Sequence, residues 1–185
     1  IDGCSVERST ISGAGSVGGI IGHAINDANT VETINATVTG NTITSTGSSK
    51  IKAGAVMGTV GVSTTTVNVI ESNNTVTSGG AAIDRIYGRF GSDGSTLSIT
   101  GGSYSATASG FVDPDANNNT LVISGGTFAS EPPAKFIAEG FTATANLDGT
   151  YSVGEAPVVA KIGDVEYKDL AKALQAAAAT KGDVT

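Results

Sequence analysis

Ile123-Ser124-Gly125-Gly126-Thr127-Phe128 is the last and clearest of five related hexads in this chain. The others are Val6-Glu7-Arg8-Ser9-Thr10-Ile11, Val38-Thr39-Gly40-Asn41-Thr42-Ile43, Ile99-Thr100-Gly101-Gly102-Ser103-Tyr104 and, with one residue inserted, Ile70-Glu71-Ser72-Asn73-Asn74-Thr75-Val76. The shared form is an apolar residue, two small or polar residues, Gly, Asn or Ser, then Thr or Ser and a large apolar residue. Their first residues are separated by 32, 32, 29 and 24 positions. A period in this range marks stacked supersecondary units, none of which can bury its apolar face alone.

Each hexad reads as the corner of a coil. The leading Val or Ile points inward at the end of one strand. Gly or Asn turns the chain, because these residues tolerate positive φ at least cost. Thr or Ser opens the next strand, and the following large apolar residue points inward again. Stacking places Ser9, Asn41, Asn74, Gly102 and Gly126 in one column, where Asn side chains hydrogen-bond along the stack as in cross-β ladders. A second, weaker repeat alternates with the first: Gly19-Ile20-Ile21-Gly22-His23-Ala24, Ala55-Val56-Met57-Gly58-Thr59-Val60 and Arg85-Ile86-Tyr87-Gly88-Arg89-Phe90. Strand periodicity puts Ile20, Gly22 and Ala24 on one face with Val56, Gly58, Val60 and Ile86, Gly88, Phe90. That face is the expected core, its central Gly leaving room for a large neighbour opposite. The Thr-rich stretches Thr30–Thr37 and Ser63–Val69 are candidates for a third strand per coil. The fold expected is all-β, a short solenoid of about five coils, about 24 Å long at the spacing of parallel strands.

Composition agrees. The chain has 185 residues, 26 Gly and only 4 Pro, which fits tight turns between short strands. Helix formers are scarce, Trp is absent, and 39% apolar content is ordinary for a folded chain. The net charge of −7 disfavours nucleic acid and anionic membranes as partners. The acidity lies before Pro157: 13 acidic and 6 basic residues precede it, against 4 of each afterwards. No run approaches a membrane span. The single Cys4 has no internal disulfide partner and reads as a small buried apolar residue. Asn-X-Ser/Thr sequons at Asn35, Asn73 and Asn118 are expected by chance in so Asn- and Thr-rich a chain.

The repeat pattern stops after Phe128, so the expected domains are a solenoid over residues 1–130, a cap over 131–156 and a tail over 157–185. Pro133 can start a short helix running to Glu139 and ended by Gly140. Phe141–Ala145 and Thr150–Val153 flank Asn146-Leu147-Asp148-Gly149, a hairpin signal. Together these cover the last coil, whose edge would otherwise stay unpaired. In the tail, Val158–Tyr167 reads as a hairpin around Gly163-Asp164. Asp169 is the N-cap of a helix from Leu170 to Thr180, with Gly182 as its stop. Leu170, Ala173, Leu174, Ala177 and Ala178 form its apolar stripe. Asp183-Val184-Thr185 looks like the start of a further strand, as in a fragment of a longer chain.

Ser124–Phe128 followed by Phe141–Val153 resembles the closing segment of right-handed parallel β-helix modules in large surface proteins of Gram-positive gut bacteria. Ala160–Leu174 is similar to the opening of the next module in such chains, and Gly182-Asp183-Val184-Thr185 to the strand that follows it. Gly18-Gly19-Ile20-Ile21-Gly22 and Ala53–Gly58 are similar to Gly-flanked repeats of bacterial adhesins. The resemblance implies a right-handed parallel β-helix, an extracellular, secreted or cell-wall location, and an adhesive or ligand-presenting role. A host or bacterial glycan, or another surface protein, would be the partner of a monomeric module. Pectin lyases and glycoside hydrolases share this fold, and fold alone does not confer their activity.

The residues carry little catalytic signal. Pectin-degrading chemistry needs carboxylates converging on one face, whereas Asp2, Glu7, Asp27, Glu32, Glu71, Asp84 and Asp93 recur in no common column. The expectation is a non-enzyme without cofactor or metal. Asp113-Pro114-Asp115-Ala116-Asn117 offers oxygen ligands at alternate positions but lacks the spacing of a Ca²⁺ loop. His23, the sole His, is expected on an outer strand face. The ligand-binding candidates are Arg85, Tyr87 and Arg89, placed by alternation on the outside of one strand beside Ile21, Met57, His23 and Thr59. Such a stripe could stack on a sugar or accept a carboxylate; a covered, structural role is the competing reading.

Overall fold

The computed structural model describes residues 1–23, 31–47, 53–60, 64–78, 81–83, 86–90, 96–105 and 120–180. The chain opens with three groups of four strands. The first is β1 (Asp2–Glu7), β2 (Thr10–Gly13), β3 (Val17–Gly18) and β4 (Ile21–His23). The second is β5 (Val31–Thr39), β6 (Thr42–Ser45), β7 (Ala53–Gly54) and β8 (Met57–Val60). The third is β9 (Thr64–Ser72), β10 (Thr75–Ser78), β11 (Ala81–Ile83) and β12 (Tyr87–Phe90). Two long strands follow, β13 (Thr96–Tyr104) and β14 (Thr120–Phe128). The described residues are therefore predominantly β, with one α-helix.

Most strands pair in parallel with their counterparts in the next group; β11 departs from this and pairs antiparallel with β10, Val76 beside Ile83. One sheet runs β1-β5-β9-β13-β14, another β2-β6-β10, a third β4-β8-β12, and a short fourth β3-β7. Parallel pairing carries each inward residue onto the next: Ile34 lies beside Val67 and Val67 beside Ile99, as Ile11 lies beside Ile43 and Ile43 beside Val76. Val, Ile and Leu from these rows, with a few aromatics, fill the main core.

The corners between the first and second strands of each group are joined by side chains. Asn41 Oδ1 accepts from Ser9 N at 2.9 Å, and Asn74 Oδ1 accepts from Asn41 N at 3.0 Å. Each Asn also donates one level back, Asn41 Nδ2 to Val6 O and Asn74 Nδ2 to Val38 O. Asn41 Nδ2 further meets Asn74 Oδ1 at 2.9 Å. These bonds satisfy corner backbone groups that the strand ladders leave behind. The turns are made by Arg8, Gly40 and Asn73, all at positive φ (48°, 69° and 54°).

The third corner departs from the expected alignment. Val38 lies beside Glu71, not Ile70. The hexad is Glu71-Ser72-Asn73-Asn74-Thr75-Val76, without insertion, and a glutamate occupies the inward apolar place. Glu71 is 4% exposed and Ile70 53%. Alternation from the buried Val67 and Val69 dictates this, since residue 71 shares their face. The carboxylate is met by Asn74 Nδ2 at 2.8 Å, Ser105 N at 3.0 Å and Ser105 Oγ at 3.2 Å.

The last two hexads are not corners either. They lie inside β13 and β14, where the ladder shifts register between Ile99 and Ser103. Gly102 and Gly126 carry φ of 95° and 106°, which admits the irregularity without strain. The result aims Tyr104 and Phe128 into the core, stacked with ring centroids 5.2 Å apart. Gly102 and Gly126 therefore stand outside the Ser9–Asn41–Asn74 column.

Three further expectations are corrected. Cys4 is exposed: among the described residues β1 pairs on one side only, with β5. The central Gly of the second repeat makes room for backbone rather than a large side chain: a Cβ on Gly22 would fall 2.7 Å from Ser16 O, and one on Gly88 2.8 Å from Ala53 O. The segment after Pro133 forms only a three-residue 3-10 turn, Ala134–Phe136, before Gly140 reverses at φ 78°.

β15 (Phe141–Ala145) and β16 (Tyr151–Glu155) form the expected hairpin. β16 pairs antiparallel with the end of β14, and Ala138 N donates to Ile123 O earlier along the same edge. β17 (Ala160–Ile162) and β18 (Val165–Tyr167) make a second hairpin turned at Gly163. Helix α1 (Leu170–Thr180) is capped by Asp169, whose carboxylate accepts from Lys172 N. Its buried contact is Ala173, with Ala176 and Ala177 half-buried; Leu170 and Leu174 of the expected stripe are exposed. The small residues let α1 lie close on the hairpin, which rotates the leucines outward. Gly182 and Asp183–Thr185 lie outside the described residues.

Replacing Asn41 with Ala strands the Ser9 N–H and the Val6 carbonyl. The expected cost is about 2–3 kcal/mol in urea unfolding with unchanged m. Thr42→Ala, on the exposed side of the same corner, is expected to stay within about 0.5 kcal/mol.

Candidate functional site

The register of the second repeat is as the spacing requires: Ile21 beside Met57 beside Tyr87, and His23 beside Thr59 beside Arg89. The face is not. Tyr87 and Met57 are 0% exposed and belong to the main core, with Val56 and Ile86 buried beside them. Consecutive residues turn inward because the chain bends there. Val56 N and Met57 N both donate to Ile86 O, and Ile20 N and Ile21 N both to Val56 O. Period-two alternation resets across such a shared carbonyl. Tyr87 is thus removed from any exposed binding stripe. Arg85 and the side chain of Arg89 lie outside the described residues, as does the Asp113–Asn117 segment. His23 is exposed, as expected.

Tyr87 and Tyr104 form a polar pair inside the apolar core. Tyr104 Oη donates to Gly101 O at 3.0 Å and accepts from Val69 N at 3.4 Å. Tyr87 Oη lies near Tyr104 without a well-formed partner. Burial pushes the Tyr104 phenol up to about 12, and drives Tyr87 well above the ordinary tyrosine value. No chemistry at neutral pH follows from phenols held protonated in this way.

Two concave regions open on the described surface. One, about 450 Å³, separates the cap hairpin from the tail and is lined by Phe141, Tyr167, Glu139, Glu166, Lys168 and Lys172 among others. Lys168 Nζ crosses it to Glu155 at 2.9 Å, and Lys172 Nζ to Glu139. Hydrogen bonding and the adjacent ammonium hold both glutamates below the usual carboxylate range and raise Lys172. The exposed pairs clasp the tail to the cap.

The other is a depression of about 280 Å³ on the outer face of the longest sheet. Its floor is a row running along the stack, Asp2 beside Asn35 beside Asn68. Asn35 Nδ2 donates to Asp2 Oδ1 at 3.1 Å. Asn68 is exposed and makes no hydrogen bond among the described residues; it leans over Gly101, whose missing side chain gives it space. Thr37 and Ile70 form the parallel row alongside. The residues were open to detection in the sequence. Ile34-Asn35-Ala36 and Val67-Asn68-Val69 are equivalent triplets 33 positions apart, with the Asn between two inward residues. The hexad-based alignment hid them by shifting the third unit one residue.

Among the described residues, no group of three His, Cys, Asp or Glu side chains converges as a metal site would require. No described helix is long and apolar enough to cross a membrane. Comparison with protein families, with curated proteins and with solved structures finds no match to this chain.

The buried phenols set an alkaline limit. The unfolded chain loses these protons near pH 10, while the folded chain keeps them to about 12. The folded state then binds more protons, so stability is full below about pH 10 and falls as pH rises towards 12. A Tyr87→Phe/Tyr104→Phe double variant is expected to flatten that slope in unfolding titrations. Tyr87→Phe alone is expected to be near neutral at pH 7, and Tyr104→Phe to cost about 1 kcal/mol.

Proposed function

We propose that this chain is a non-catalytic module of a bacterial surface protein, a right-handed parallel β-helix that displays a rigid outer face for adhesion or carbohydrate binding. The observation that carries the reading is the register. Five strands of one sheet, and three of each of two others, pair in parallel, so outward residues away from the register shifts lie in rows with their counterparts. Rows of this kind belong to the backbone ladder and not to mobile loops, so they are fixed before a ligand arrives. The resemblance of Ser124–Val153 and Ala160–Leu174 to surface-protein modules points the same way and implies an extracellular location.

A polysaccharide lyase or glycoside hydrolase is less well supported. Glu71 is buried and occupied by Asn74 and Ser105, and Asp2 stands at the sheet edge against Asn35. A spacer between surface domains is the second reading. It is favoured by the Lys168–Glu155 and Lys172–Glu139 pairs, which fix the tail against the cap.

A glycan array probed with the labelled protein, run beside an assay for chain cleavage of pectin-type polysaccharides, separates the three. Binding without cleavage is the expected result. Cleavage would overturn the reading in favour of an enzyme, and the absence of both binding and cleavage in favour of a spacer.

A further inference from the structure

We infer that the depression floored by Asp2, Asn35 and Asn68 is a binding subsite for a neutral glycan lying along the stack axis. This rests on the reading of the chain as a ligand-displaying module, and adds to it the place and the ligand class.

The chemistry of the row is that of hydroxyl recognition. A carboxylate and two primary amides supply acceptors and donors side by side, the arrangement that neighbouring sugar hydroxyls can satisfy in pairs. Part of that capacity is in use: Asn35 Nδ2 holds Asp2 Oδ1. Asn35 Oδ1 forms no hydrogen bond with the described residues, and neither does the Asn68 amide. The Asn35–Asp2 bond orients the first amide, so little ordering cost is left for the ligand to meet there.

Ile70 supplies the apolar contact such sites need. It lies 53% exposed beside Thr37 on one neighbour and Ser103 on the other. The fold requires an outward residue there, since Val69 and Glu71 point in, but a Thr would serve the strand as well as an Ile. An isoleucine among hydroxyls at the rim of a depression is an apolar platform for a sugar ring.

Charge and length define the ligand. Asp2 lies in the row, no cationic side chain among the described residues lines the depression, and the chain carries a net charge of −7. A uronic or sialic acid would meet repulsion with no arginine or lysine to offset it. From Asp2 to Asn68 the row covers two strand spacings, about 10 Å. A short stretch of neutral oligosaccharide matches that span, and the open sides leave room for the chain to continue.

The test uses the whole chain against neutral and acidic oligosaccharides on an array, with affinities for the best neutral hit by titration calorimetry. Asn68→Ala and Ile70→Thr are each expected to weaken neutral binding at least tenfold with unchanged thermal midpoints, both side chains being exposed. Thr44→Ala, on another sheet, is expected to bind like the parent. Glycan binding undiminished in Asn68→Ala and Ile70→Thr, an equal loss in Thr44→Ala, or preference for acidic sugars would each overturn the subsite while leaving the displayed-module reading standing. No glycan binding by the parent chain would remove both.

Discussion

Asn41 is the joint on which the stack depends. Its side chain takes the Ser9 amide from the preceding level, gives its own amide protons to Val6 and Asn74, and its backbone N–H is taken by Asn74 in turn. A parallel ladder satisfies strand groups by itself, but each corner turns backbone amides out of the ladder. A buried amide left without a partner costs about as much as several hydrogen bonds gain. The Asn column removes that cost at the two junctions between three levels. It fixes the register of the strands on both sides, because a slip of one residue would break several of these bonds together.

The column ends where the third level meets the fourth, and Glu71 takes over. One carboxylate oxygen is bound to Asn74 and the other to Ser105, so the ion joins the Asn-type corners to the glycine-bulged strands beyond. A carboxylate is suited to this position because it accepts from several donors at once. Its burial has a consequence outside. With residue 71 turned in, residue 70 is turned out, and an isoleucine appears on the polar face beside Asn68 and Thr37. The interior network and the proposed subsite are two sides of one strand, β9. Beyond the splice, Tyr104 stacks on Phe128, and the cap hairpin and Ala138 close the edge of β14. At the other end of the sheet, Asp2 and Glu7 of β1 are exposed.

Much of this was legible in the residues. The period, the Asn41–Asn74 contact, the pairing of Ile21 with Met57 and Tyr87, both hairpins and the bounds of α1 follow from spacing, turn residues and capping. What escaped has a common cause. Alternation holds only within an unbroken strand, and the bend at Val56-Met57 resets it, so Tyr87 and Met57 face inward where alternation predicts the outside. An apolar lead for the third hexad selects Ile70, whereas alternation from Val67 and Val69 puts Glu71 inside; the two rules conflict there, and the three donors around the carboxylate let alternation win. The row of Asp2, Asn35 and Asn68 was hidden by the same preference, since it is defined by equivalent outward positions rather than by apolar ones.

The central claim is that successive levels lie in parallel register and are tied at their corners by Asn side chains. Nuclear Overhauser contacts in the isotope-labelled protein test it most directly. The account predicts contacts from the Asn74 side-chain amide to the Asn41 backbone N–H, the same contact from Asn41 to Ser9, and backbone contacts linking Val6 to Val38 and Val38 to Glu71. Close α-proton pairs between β5 and β9, as antiparallel strands give, or an Asn41 amide exchanging as fast as in an unfolded chain, would contradict it.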